Sequence, residues 1–154
     1  MGALIRTRKL TLLRRIQSIG TNGLPFILPR LGIRDSAWQY QVLAFIQRAS
    51  FLHIQFTTPS ERRQRAKWAL GLAGEESMRA SISDLARLSG DKDPGVRLTA
   101  VELLSTFPVN DTAPLGTLKA AQGDPDPRVR AAAQQAVGIR RAVEEEVQRL
   151  RQLG

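Results

Sequence analysis

A chain of 154 residues with 42% hydrophobic and only 5% aromatic content has apolar material for one core, and its abundance of Leu, Ala and Arg favours helices over a β-sandwich. The absence of cysteine removes disulfide frameworks, Cys-ligated zinc and thiol catalysis, and the single His53 leaves no histidine cluster. The net charge of +9 is uneven: residues 1–74 carry 12 Lys and Arg against Asp35 and Glu61, a balance of +10, whereas residues 75–154 carry 11 against 12, a balance of −1. A basic half attracts phosphate backbones, anionic membrane surfaces or acidic partners, although 19 of the 23 basic residues are arginine, as compositional bias and solvated helix faces also produce.

Arginines interrupt MGALIRTRKLTLLRR, so it makes no signal-peptide core, and no apolar run reaches the roughly 18 to 20 residues of a membrane-spanning helix. The expectation is a soluble, cytoplasmic chain; a piece of a longer or membrane-anchored protein would read the same way. Leu12, Ile16 and Ile19 form one stripe within 1–22, the basic last helix of an incomplete unit. A divergent unit over 23–74 follows. GTNGLPFILPRLG gives a short first helix through Leu24, Ile27, Leu28 and Leu31, and DSAWQYQVLAFIQRAS a helix with Trp38, Val42, Phe45 and Ile46 inward. Leu52, Ile54 and Phe56 alternate as an extended insertion near 49–58. Thr58-Pro59-Ser60-Glu61 has capping-box spacing and opens the helix carrying Ala66, Ala69, Leu70 and Leu72.

Two units then repeat, over 78–106 and 111–141. GDKDPGVRLTAVELLS and GDPDPRVRAAAQQAVG place Asp93 and Asp126, 33 residues apart, as N-caps ahead of Pro94 and Pro127. Val96, Ala100, Leu103 and Leu104 are matched by Val129, Ala133, Ala136 and Val137, and in the preceding helices Ile82, Leu85 and Leu88 are matched by Leu115, Leu118 and Ala121. A helical hairpin with stripes on both helices cannot cover itself, so such units stack into one domain spanning 1–154. Val143, Val147 and Leu150 make 142–154 a one-sided capping helix.

Asp-Pro-x-Val-Arg-x-x-Ala, as in DPRVRAAAQQAVG and DPGVRLTAVELLS, resembles the HEAT and HEAT-like repeats. The resemblance implies an all-α, right-handed superhelix (α-solenoid) of about three to four helical hairpins. It also implies a ladder of turn aspartates and second-helix arginines, Asp93 with Arg97 and Asp126 with Arg130. Arg63 lies 34 residues before Arg97, but Thr-Pro replaces Asp-Pro there, which breaks the pattern of the ladder.

Converging catalytic groups are not evident. Asp91, Asp93, Asp124 and Asp126 frame helix starts, where carboxylates serve as caps, and supply too few oxygens for a divalent metal. Glu144, Glu145 and Glu146 point in different directions, with Glu145 and Arg149 at pairing distance. Trp38 and Trp68 fall with the apolar stripes as core residues, the lesser reading of Trp68 being a place on a concave wall. No catalytic, cofactor or metal residue is assigned. The leading expectation is a non-catalytic scaffold whose second-helix wall binds another protein or peptide through Arg62, Arg65, Gln134 and Gln135. The alternative is nucleic-acid binding by a basic face, as in HEAT-like DNA glycosylases but without catalysis, favoured if Arg30, Arg34, Arg62 and Arg65 converge. The sequence does not fix an oligomeric state.

Overall fold

Aspartate, threonine and proline at helix starts and apolar residues at each turn dictate where helices lie. The computed structural model, which describes residues 20–36, 41 and 57–153, has them at those places. A 3₁₀ turn, Gly20–Gly23, leads into α1, Leu24–Leu31, with Pro25 in the first turn where its missing N–H costs nothing. In α2, Pro59–Leu72, the Glu61 amide donates to the Thr58 hydroxyl (3.2 Å) and the Thr58 amide to the Glu61 carboxylate (2.8 Å), the reciprocal box that the spacing predicts. The stripe of Trp38, Val42, Phe45 and Ile46, the extended Leu52, Ile54 and Phe56, and the Leu12, Ile16 and Ile19 stripe lie outside the described residues.

The chain leaves α2 through Gly74, whose φ of +93° suits only glycine. Two short helices follow, α3, Glu75–Ala80, and α4, Ile82–Leu88. They meet at Ser81, which with Ser77 is fully buried; the Ser77 hydroxyl donates to the Ala73 carbonyl (3.1 Å) and that of Ser81 to Met78 (2.7 Å). This back-bonding satisfies the buried hydroxyls and accompanies the break between the helices. α5, Pro94–Ser105, begins at Asp93, whose carboxylate accepts from the Gly95 and Val96 amides. After α6, Leu115–Ala121, α7 runs without interruption over Pro127–Leu153, so residues 142–153 continue the last second helix and are not a separate element.

α1 packs on α2, α4 on α5 and α6 on α7, while the second helices α2, α5 and α7 follow side by side. The shared interior joins Leu31, Leu70, Leu85, Val96, Leu104, Leu118 and Val129, all at most 1% exposed. Both Val96 and Val129 face it, as the repeated stripe requires. The architecture is an all-α solenoid, with no strand among the described residues.

Three of the buried residues are charged, Arg63, Asp93 and Arg140. Arg140, 4% exposed, sits on the core-facing stripe of α7 and donates to the carbonyls of Phe107 (2.9 Å), Pro108 (3.1 Å), Val109 (3.2 Å) and Asp111 (2.9 Å). It thereby satisfies the loop between α5 and α6. Replacing it leaves those carbonyls without their donor, a cost of about 3 kcal/mol. In urea denaturation we expect Arg140→Leu to lose roughly that amount, and the exposed neighbour Arg141→Leu to stay within about 0.5 kcal/mol of the parent protein.

Candidate functional site

The turns that join the helices share one hydrogen-bonding plan. Arg97 Nη1 donates to the carbonyls of Asp91 (2.9 Å) and Lys92 (3.1 Å), Arg130 Nη1 to those of Asp124 (2.6 Å) and Pro125 (2.9 Å), and Arg63 Nη1 to that of Ile33 (2.6 Å). Arg63 is therefore the equivalent of Arg97 and Arg130 despite the Thr-Pro, and Ile33-Arg34-Asp35 is the first unit's version of Asp91-Lys92-Asp93. Arg63 Nη2 donates to the Asp35 carboxylate at 2.6 Å.

The carboxylates are distributed differently from the expected Asp93–Arg97 and Asp126–Arg130 pairs. Arg97 holds Asp124 of the next turn by two bonds, 2.7 and 2.8 Å, with side chains only 12% and 7% exposed. Asp93 is occupied by the Gly95 and Val96 amides and by the backbone amide of Asp35; Asp126 is occupied by the amide and side chain of Arg128. The caps thus consume the second aspartate of each motif, and the first aspartate ties one unit to its predecessor. Asp91 plays that part toward Arg34, which donates to it at 2.9 and 3.1 Å. These bonds from Arg34 and Arg97 hold the Asp91 and Asp124 carboxyls below the ordinary carboxylate value, and Arg128 does the same for Asp126.

The surface candidates separate. Arg30, Arg62 and Arg65 line one groove of about 530 Å³ beside α1 and α2. Arg34 is not with them, being engaged by Asp91. Gln134 and Gln135 are exposed on α7, and Gln135 lines a smaller groove of about 220 Å³ between α5 and α7 with Phe107 and Ile139. Glu145 pairs with Arg141 (2.7 Å), and Arg149 with Glu146 (3.1 Å), in place of the expected Glu145–Arg149 pair. Val143, Val147 and Leu150 are exposed by 41% to 60%. Trp38 and His53 lie outside the described residues.

A larger groove than either of these was not foreseen. It spans about 670 Å³ between α2, α3 and the end of α5, and is lined by Trp68, Leu72, Met78, Leu103, Phe107 and Pro108. Trp68 is 65% exposed and hence not a core residue. It lies two positions from both Ala66 and Leu70, about 200° around the helix from each, a signal present in the sequence. The Lys67–Glu102 ion pair, 2.6 Å, links α2 to α5, and Phe107 lines both this groove and the smaller one. Among the described residues no cluster of three or more His, Asp or Glu side chains is placed to hold a metal, and no helix is long and apolar enough to cross a membrane.

A family model described as HEAT repeats matches residues 54–138. No curated protein and no solved structure matches the chain.

The inter-unit carboxylates make an acid-sensitive contribution to stability. Their folded-state pKa values lie below the unfolded value of about 3.9, so the stability they confer is complete above about pH 5 and is lost as pH falls through the folded values. Melting temperature is expected to fall below about pH 4. Asp124→Asn, already less stable at pH 7, should fall less steeply over the same range; an unchanged acid slope would remove Arg97–Asp124 from this role.

Proposed function

Because the chain belongs to the HEAT-repeat family, whose model covers more than half of its length, we propose that it is a non-catalytic interaction module that docks a partner protein or peptide on the wall formed by α2, α5 and α7. HEAT repeats are in general protein-interaction scaffolds and typically carry no catalysis. The observation that carries the reading is Trp68, a large apolar side chain left mostly in solvent at the rim of a groove whose other lining is Leu72, Met78, Leu103 and Phe107. Aromatic anchors in apolar recesses dominate the energetics of such interfaces. The Lys67–Glu102 pair beside them supplies a polar border of both signs.

A second reading, nucleic-acid binding without catalysis, draws support from the placement of Arg30, Arg62 and Arg65 around one groove.

Crosslinking from a photoreactive side chain at Gln64 in living cells, read by mass spectrometry, identifies what occupies the wall. On the leading reading the captured partner binds the purified protein, and Trp68→Ala weakens that binding by roughly 30-fold, the scale of an interface anchor, whereas Arg141→Ala leaves it unchanged. Binding indifferent to Trp68→Ala would place the partner elsewhere.

A further inference from the structure

Most arginines here already have a partner. Arg34, Arg63, Arg79, Arg87, Arg97, Arg128, Arg141 and Arg149 make ion pairs, while Arg130 and Arg140 are held by backbone carbonyls. Arg30, Arg62 and Arg65 are exposed and make neither kind of contact, although they line the same groove. Every one of the chain's 14 Asp and Glu lies in the described residues, so no undescribed segment holds a carboxylate side chain that could neutralise them.

Arg62 and Arg65 stand three apart on one face of α2, so two like charges share one surface. Arg30 sits in the last turn of α1, which packs on α2. Three guanidiniums around one recess offer planar, multiply donating forks that match a phosphate group, and Thr57 adds a hydroxyl.

We propose that this groove is a phosphate site, taking the phosphate or pyrophosphate group of a small ligand. Its volume falls in the range of small-ligand sites, and Ile27, Ile33, Ala66 and Ala69 give it an apolar lining for an organic portion. A duplex requires a row of phosphate contacts. Arg34, the nearest extension of such a row, is taken by Asp91, and the remaining unpaired cations of the described residues, Lys92, Lys119 and Arg151, are spread over three separate parts of the chain. The site stands whether or not the second-helix wall binds a protein.

The test is calorimetric titration of the full chain with inorganic pyrophosphate at fixed ionic strength, alongside a 20-base-pair duplex. One-site binding is expected, weakened roughly tenfold by each of Arg30→Gln, Arg62→Gln and Arg65→Gln and unaltered by the control Arg141→Gln. Helical circular dichroism confirms that each variant is folded, and these exposed side chains make no structural contact whose loss would unfold it. Duplex binding that pyrophosphate displaces also supports the site and identifies a backbone phosphate as its source. Absence of pyrophosphate binding, equal binding by the Arg62→Gln/Arg65→Gln double variant, or duplex binding through these arginines with no heat from pyrophosphate, would each overturn the proposal.

Discussion

A pair of helices with apolar stripes on both members has more surface to hide than the two can hide from each other, and every level of this structure follows from that deficit. Leu85, Val96, Leu104, Leu118 and Val129 vanish from solvent because successive hairpins share an interior. The relative magnitudes show what drives stacking and what orders it. Complete burial of one Leu or Val is worth roughly 1.5 to 3 kcal/mol, and many are buried, whereas a hydrogen bond to a charged group contributes about the same once and only in one geometry. The apolar seam therefore supplies the driving force. The Arg97–Asp124 and Arg34–Asp91 forks fix the relative placement of the turns, since a slipped turn would strand a shielded charge.

The same packing decides what is left for function. With Ala66 and Leu70 committed to the interior, Trp68 must project from the opposite side of α2, beside the recess closed by Met78 and Phe107. The unpaired Arg30, Arg62 and Arg65 occupy a separate groove, whereas the cation lining the Trp68 groove, Lys67, is paired with Glu102. Two chemically distinct surfaces thus share α2: one apolar with an aromatic anchor, one cationic.

Much of the fold was legible because it rests on local rules. The capping box at Thr58, the Asp-Pro helix starts and the stripes through Val96 and Val129 depend on neighbours within a few positions, and the structure has them where the spacing puts them. Of the ladder, the arginines were legible and the aspartates were not. Asp93 lies four residues from Arg97 and looks like its partner, yet the helix cap claims Asp93, and the true partner, Asp124, is 27 residues on. Arg140 was missed because a charge on a buried stripe reads as the stripe's end, and the loop carbonyls that satisfy it belong to another element. Trp68 was assigned to the core on residue type, against the angular position that the helix gives it. The convergence of Arg30 with Arg62 and Arg65 needed the packing of α1 on α2, which no pattern in the chain specifies.

If the interior is shared, loosening one hairpin must loosen its neighbours. Native-state hydrogen exchange of a Val101→Ala variant, which trims a fully buried side chain on α5, tests this most directly. Protection of the slowest amides in α2 and α7 should drop together with those of α5 and by a similar factor. Loss of protection confined to α4 and α5, with α2 and α7 unchanged, would mean that the hairpins hold themselves together independently and would contradict the account.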